Sequence, residues 1–247
     1  MNLIWICKIQ KRGDMEILGC LLIGFLLAEL ATMVTTLYLH RSSTHKSVKF
    51  HFFVEFIFQL ILWLTTGINR KEWVAVHWKH HSCTDKEGDT HSPVLLGFWR
   101  VQLGNVLLYR KAARNPEIIK LGERVQLSWA EKNLFTSPLL GLSIGIGTAC
   151  LIFGWWQGLL ISLFHTVFYL QLNSLVNAYC HLWGYRNFPE ADAFNSKWVA
   201  WITGGEGFHN NHHHRPGSPK LSGKKWEFDM GWTIIKTLEF FGLAKTK

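Results

Sequence analysis

Nine of the thirteen histidines in this 247-residue chain fall in four clusters that could hold metal ions. The clusters are His40 and His45 in HRSSTH, His77, His80 and His81 in HWKHH, His181 in NAYCH, and His209, His212 and His213 in HNNHHH. Neutral imidazole is a good ligand for iron, copper, zinc and nickel, so the residue type alone does not choose the metal. A recurrence this dense predicts a metal site rather than scattered core and surface histidines.

The spacing within each cluster suggests how the rings are presented. Residues at i, i+3 and i+4 share one face of a helix. We therefore expect each HxxHH triplet, at 77–81 and at 209–213, to offer three imidazoles to one pocket. His40 and His45 are five residues apart, which puts them on different sides of a regular helix. They either converge at a fraying helix end or serve two different metals.

The number of histidines suggests more than one metal ion. A structural zinc takes four ligands, and a catalytic zinc takes three together with a water. Nine histidines exceed one such site, whereas two metals with four or five ligands each would use them all. Two adjacent irons suit oxygen activation, because O2 reduction and C–H cleavage need several electrons at one place. We expect the remaining four, His51, His91, His165 and His214, to be ordinary core or surface residues.

The composition indicates a membrane protein. Hydrophobic residues make up 48% of the chain and charged residues 17%, whereas soluble domains contain about 25% charged residues. Thirteen Trp and seventeen Phe residues argue against disorder. The net charge of +9 favours an anionic lipid surface or an anionic substrate over nucleic acid as the partner.

Hydropathy predicts an all-α integral membrane protein with a single domain over residues 1–247. A membrane-spanning helix needs about 20 apolar residues. Three segments come close: 17–39, 138–155 and 159–176, the last two forming a hairpin around 156–158. Segment 52–68 lies between the first two histidine clusters, so we expect it to be interfacial or buried rather than to cross. The polar stretches 69–137 and 177–247 form a helical cap, which their Lys and Arg residues place in the cytoplasm.

Together, the motifs resemble those of the membrane fatty-acid desaturases of the acyl-CoA delta-9 (stearoyl) type, in a short, bacterial-like form. The similarity rests on HRSSTH, HWKHH, NAYCH and GEGFHNNHHH, and it covers roughly residues 30 to 232. Residues 87–93, EGDTHSP, are similar to the family's EGDPHSP, with Thr90 where proline is usual. The resemblance implies a di-iron centre, O2 as co-substrate, and a cis double bond placed at delta-9 of a saturated acyl chain.

The resemblance also implies roles for individual residues. It makes ligands of His40, His45, His77, His80, His81, His181, His209, His212 and His213. Asn177 matches an asparagine that holds one iron through water, and Trp73 matches a tryptophan that lines a bent acyl tunnel. Glu206, Asp85 and Asp89 are candidates to accept a hydrogen bond from the second ring nitrogen of a ligating histidine.

The chain departs from the acyl-CoA pattern just before the second histidine motif. Ala75 and Val76 stand where acyl-CoA members carry Arg and Asp, so acyl-lipid and acyl-carrier-protein substrates stay open beside acyl-CoA. The sequence contains no flavin, nicotinamide or haem-binding motif. We therefore expect electrons from an external donor, such as a ferredoxin or a b-type cytochrome. The expected location is the cell inner membrane or an endoplasmic-reticulum-like membrane, with the active site facing the cytoplasm.

Two other functions are consistent with some of these features. A di-iron membrane hydroxylase of fatty acids or alkanes would share the histidine motifs but leave a hydroxyl group on its product. A membrane metal-binding or transport protein would place polar residues at mid-membrane. Here the clustered histidines lie at the ends of the apolar segments and in the polar stretches, which disfavours transport.

Overall fold

The computed structural model describes residues 3–247, with side chains described from residue 16 onward, and helices dominate it. The helices are α1 (Leu3–Val34), α2 (Phe52–Thr65), α3 (Arg70–Ser82), α4 (Pro93–Leu96), α5 (Phe98–Ala113), α6 (Pro116–Gly122), α7 (Trp129–Asn133), α8 (Pro138–Phe153), α9 (Trp155–Tyr179), α10 (Lys197–Ile202), α11 (His209–His214) and α12 (Met230–Phe240). Strands β1 (Val48–Phe50) and β2 (Ala244–Thr246) pair antiparallel. The all-α fold class predicted from the sequence is confirmed.

Two long apolar helices form the centre of the membrane part. Helix α1 continues without a break into a π-helical segment, Thr35–Thr44, so the predicted span 17–39 is part of a longer helix. The segment Glu16–Thr44 and helix α9 are both long and apolar enough to cross a membrane. They pack along each other, with the small Ala28 and Ala31 against Tyr169 and Leu172.

The predicted hairpin exists, but its turn falls earlier than expected. Helices α8 and α9 meet at Gly154, which has φ 98° and ψ 152°, and residues 156–158 form the first turn of α9. Glycine adopts this left-handed region without the steric cost that other residues meet. Gly158 lets the two helices approach closely, because a Cβ there would collide with the backbone of Cys150. Helix α8 has 16 residues, so its crossing of the membrane stays a prediction.

Helices α2 and α3 form a sharply bent pair between the first two histidine motifs. Their axes differ by 92°, and residues 66–69 form the break. Asn69 starts α3, since its side chain accepts hydrogen bonds from the backbone N–H groups of Lys71 and Glu72. The expectation that segment 52–68 does not cross the membrane stays a prediction.

The four histidine motifs come together at one end of the two long helices. The first motif lies in the π-helical segment at the end of α1, and the third directly follows α9. Helices α3 and α11 carry the other two. Next to them, β1 pairs with β2, and Val48 and Phe50 pack with Leu37 and Ile235 in a small core. The C-terminal strand therefore holds the chain that leaves the first motif.

We predict that Gly158→Ala lowers the free energy of unfolding by about 1–3 kcal/mol, because the added methyl group meets the α8 backbone. Gly147→Ala is the matched control, since a Cβ there has no heavy atom within 4 Å. That control gains helix propensity and is expected to be neutral or stabilising. The measurement is the thermal midpoint of detergent-solubilised protein, and equal midpoints for the two variants would contradict the predicted close packing.

Candidate metal centre

The nine clustered histidines lie in two adjacent groups. In each group, one ring nitrogen from every member lies within 4.8 Å of those of the others. The first group contains His40, His45, His77, His81 and His212, and the second contains His80, His181, His209 and His213. Histidines that span residues 40–213 in sequence are therefore arranged as a set of five and a set of four.

The π-helical segment explains why His40 and His45 lie in the same group. Residues five apart differ by about 140° around an α-helix. In a π-helix the backbone bonds run from i to i+5, and the N–H of His45 indeed donates to the carbonyl of His40 at 3.1 Å. The two rings come to a centroid distance of 4.7 Å. Of the two arrangements left open by the spacing, the rings thus converge, through a π-helix rather than a frayed end.

Each HxxHH triplet is divided between the two groups. His77 and His81 belong to the first, with Nε2 atoms 3.0 Å apart, whereas His80 belongs to the second. On α11 the assignment is reversed, and His212 joins the first group. The prediction that a triplet serves one pocket was therefore wrong. The residue at i+3 is rotated by about 100° from that at i+4, so a helix lying between two groups contributes to both.

Three carboxylates contact the Nδ1 atoms of histidines in these groups, and they are the three acids singled out in the sequence. Glu206 lies 2.7 Å from Nδ1 of His40 and Asp85 lies 2.8 Å from Nδ1 of His181. Asp89 contacts Nδ1 of His80 at 2.9 and 3.0 Å. A carboxylate at Nδ1 favours the tautomer that carries its proton there. The Nε2 lone pairs of these rings then face the centre of their groups.

Burial keeps the remaining rings neutral. It is the largest cause that holds the pKa values of His209, His212 and His213 well below the ordinary value, followed by the neighbouring histidines. Burial acts to raise the pKa of Glu206, but the adjacent His40 ring and Arg41 guanidinium hold that pKa below its usual value. The site therefore combines uncharged nitrogen donors with anionic carboxylates, an arrangement that favours a bound cation.

The donor set fits transition-metal ions. Neighbouring Nε2 atoms lie 3.0 to 3.3 Å apart, as between His212 and His81 and between His213 and His209. Ligand atoms about 2.0–2.1 Å from one metal ion have comparable separations. Nε2 of His80 is buried and has no hydrogen-bond partner in the part of the chain that the structure describes. Imidazole donors of this kind suit iron, copper, zinc and nickel.

A buried ion pair that the sequence did not predict holds the first and last motifs together. Arg41, 1% exposed, donates to both carboxylate oxygens of Asp229 at 2.9 and 3.1 Å. It also donates to the carbonyl of Gly204 at 2.9 Å, two residues before Glu206. Arg41 thus holds the loop whose carboxylate contacts His40. The sequence feature that could have indicated this ion pair is Arg41 itself, a charged residue next to His40 at the end of an apolar helix.

All four histidines expected to be ordinary lie outside both groups, and three of them have their contacts elsewhere. The side chain of His51 caps α2 by accepting from the N–H of Phe53, and His165 Nε2 lies 2.8 Å from the carbonyl of Thr65. His214 stacks on Phe188 with ring centroids 3.8 Å apart.

His91 is the exception, because it is buried against the second group. Its ring stacks on His80 at a centroid distance of 4.5 Å, and its Nδ1 lies 2.8 Å from the hydroxyl of Thr90. With His80 and Asp89 it forms a third set of possible ligand atoms within 4.8 Å. His91 lies within the EGDTHSP motif, but the motif's lone histidine has no metal-ligand spacing to a second one, so it was not separated from the other isolated histidines.

Two cavities lead to the histidines. The smaller, about 100 Å3, is lined by His40, His77 and His209 and also by Asn177. The larger, about 520 Å3, extends between α5, α8 and α9. Both are lined by a shared set of four residues, Trp73, Asn105, Tyr109 and Asn173. Trp73 stacks on His77 at 5.0 Å, with an angle of 10° between the planes, so it stands where the two cavities meet.

Apolar helices that end at two buried histidine groups define a helical membrane protein with a candidate two-metal centre. The chain belongs to the fatty acid desaturase family, whose family model matches residues 16–221. That match includes His40 through His213 and therefore both histidine groups. The family predicted from the four motifs is confirmed.

Individual relatives are similar over most of this chain. Identity is 33% to the icosanoyl-CoA 5-desaturase of Limnanthes douglasii, over 90% of this chain and 63% of that protein. Identity is 30% to delta-9 acyl-lipid desaturase 1 of Arabidopsis thaliana, over 83% of this chain and 67% of that protein. Identity is also 30% to the sn-1 stearoyl-lipid 9-desaturase of Synechocystis sp., over 85% of this chain and 65% of that protein. The chain thus spans about two thirds of the length of these relatives.

We predict that His212→Ala lowers the iron content of the purified protein by about half or more, since it removes a donor of the first group. His214→Ala is the matched control, because its ring lies outside both groups and stacks on Phe188. Iron per chain is measured by plasma mass spectrometry. Equal iron contents in the two variants would remove His212 from the metal site.

Glu206→Gln keeps the size of the side chain but removes the charge that faces Nδ1 of His40. We expect about 10- to 100-fold weaker iron binding, the usual effect of losing a group that orients a ligand. Glu190→Gln is the control, since Glu190 contacts only the outlying His214 among the histidines, at 3.1 Å. Iron retained against graded chelator concentrations gives the affinity, and unchanged retention in Glu206→Gln would refute the orienting role.

Proposed function

We propose that this protein is a fatty acyl desaturase, which uses two irons and O2 to insert a cis double bond into a saturated acyl chain. The observation that carries the proposal is the division of nine histidines into sets of five and four beside an apolar-lined cavity. In the overall reaction, one CH2–CH2 unit, O2, two electrons and two protons give one CH=CH unit and two waters. The irons supply the oxidation of unactivated C–H bonds.

In this proposal the chain's own residues hold and shield the centre. The five histidines of the first group and the four of the second are the ligands, and Asn177 contributes through a water. Asp85, Asp89 and Glu206 fix ring orientation through Nδ1. Enclosure of the site within the helices excludes bulk water, which protects a strong oxidant from side reactions.

The substrate enters through the larger cavity and reaches the smaller one past Trp73. A methylene chain offers no polar handle, so the shape of the path must select the carbon atoms that react. Trp73 supports this path because it lines both cavities and stacks on His77. We propose delta-9 as the position of the double bond, and acyl-CoA, acyl-lipid or acyl-carrier protein as the substrate. The names of the relatives include both acyl-CoA and acyl-lipid forms, and both positions 5 and 9.

The protein is proposed to act as one domain in the cell inner membrane or an endoplasmic-reticulum-like membrane, with the site facing the cytoplasm. The excess of Lys and Arg in the polar stretches supports that orientation. Electrons come from an external carrier, such as a ferredoxin or a b-type cytochrome. Such carriers are commonly acidic and suit the chain's net charge of +9.

The proposal is tested by expression in a host that lacks acyl desaturation, followed by mass spectrometry of fatty acid methyl esters. We expect acyl chains that have lost two hydrogens, and adduct fragmentation then gives the double-bond position. His80→Ala is the inactive control, since it removes a donor of the second group. Products that have gained one oxygen would identify a hydroxylase instead, and unchanged lipids with an active electron donor would refute the proposal.

A further inference from the structure

A basic groove of about 640 Å3 lies on the polar side of the protein, apart from both cavities. We call it the basic groove and define it by Ser42, Ser43, Lys46, Lys49, Trp78 and Arg124. None of its lining residues lines the cavities assigned to the acyl chain, within the residues that the structure describes. The groove is therefore separate from the path assigned to the acyl chain.

The charge of the groove is strongly positive. Lys46, Lys49 and Arg124 are exposed, so their charges face the solvent. Arg70 also lines the groove, but Glu131 neutralises it through two bonds of 2.6 and 2.7 Å. Glu55 is the acid that faces the exposed cations. The remaining positive charge attracts an anionic partner from solution and raises its rate of association.

The groove is directly outside the first histidine group. Ser42 and Ser43 occupy the π-helical segment between His40 and His45, and Lys46 follows His45. Trp78 follows His77 on α3, and its indole N–H donates to the carbonyl of Thr44 at 3.1 Å. Trp78 is thus joined to His77 through the backbone and to His45 through one hydrogen bond and one peptide unit.

The two tryptophans of α3 serve different surfaces. Trp73 lines both cavities, whereas Trp78 lines the basic groove. Residues five apart differ by about 140° around an α-helix, so the two indoles leave α3 in nearly opposite directions. A partner in the groove can therefore approach the first histidine group while an acyl chain fills the cavities.

We propose that the basic groove docks an acidic one-electron carrier protein. Electrons then reach the metal held by the first histidine group through Trp78. This inference rests on the proposed desaturase function. Two carriers each deliver one electron per turnover. Together with two protons and the two hydrogens of the acyl chain, these electrons reduce O2 to two waters. The path through Trp78 consists of covalent bonds and one hydrogen bond, and the indole itself is neither oxidised nor reduced overall.

The docking surface is tested with Lys49→Glu/Arg124→Glu and, as probe, a reduced acidic [2Fe–2S] ferredoxin. At low ionic strength we expect the KM for the carrier to rise about tenfold or more, because two attractions become repulsions. The difference in carrier KM between the variant and the unmodified protein becomes smaller at high salt, because ions screen the charges. The KM for the acyl substrate and the rate of reduction by dithionite stay unchanged. Lys224→Glu/Lys225→Glu, on an exposed loop outside the groove, is the matched control.

The path is tested with Trp78→Phe, which removes the indole N–H that bonds Thr44. We expect unchanged iron content and an unchanged rate of reduction by dithionite, with a several-fold slower limiting rate of reduction at saturating carrier. Trp63→Phe is the control, since its indole bonds the carbonyl of Ser137, away from the groove. An unchanged limiting rate in Trp78→Phe would exclude Trp78 from the path.

The outcomes separate this inference from the proposed function. Product formed by the unmodified protein, with no effect of Lys49→Glu/Arg124→Glu on the carrier KM, overturns the docking surface and leaves the desaturase function intact. A rise in the acyl KM instead would make the groove a headgroup site and also overturn docking. Absence of product with ferredoxin and with dithionite alike would refute the desaturase function itself.

Discussion

The close approach of nine imidazole nitrogens is the constraint on which the rest of the structure depends. Lone pairs that face one another about 3 Å apart repel unless a cation or a shared proton lies between them, and the interior gives no water to relieve the cost. Carboxylates at Nδ1 of His40, His80 and His181 orient the rings from outside. The carboxylates therefore orient the nitrogen donors toward the centre of each group, and their negative charges balance that of a bound cation.

The two long helices bring the histidines together because both end beside the two histidine groups. Helix α1 and its π-helical extension deliver two histidines, and the end of α9 delivers His181. The ion pair of Arg41 with Asp229 then connects the first motif to the start of α12, 188 residues later in the chain. Removal of one partner of such a buried pair typically costs about 3–5 kcal/mol, because the other charge stays buried. Formation of this ion pair during folding therefore also brings the first motif and the start of α12 into position.

Residue types were readable from the sequence, whereas their arrangement was not. The nine histidines were identified because histidine is rare and its spacing here is unusual, whereas the three acids were identified only through the resemblance to a known family. The division of each triplet depended on where α3 and α11 lie relative to two centres, which no local pattern encodes. The five-residue spacing of His40 and His45 was ambiguous because a π-helix has no sequence signature. Asp229 was missed because a helix-capping aspartate looks the same whether or not a distant arginine contacts it.

Helix α3 carries candidate metal ligands and also lines both the cavities and the basic groove. It has three histidines within its 13 residues, with one tryptophan toward the cavities and another toward the basic groove. A long acyl chain and a protein carrier cannot share one opening, because the chain must stay in an apolar, water-free path while the carrier needs a charged, solvated surface. In the proposed function, the acyl route and the electron route lie on different sides of this one helix, so both can end at the same histidines. The 140° between positions 73 and 78 is therefore as important to the proposed chemistry as the histidine spacing.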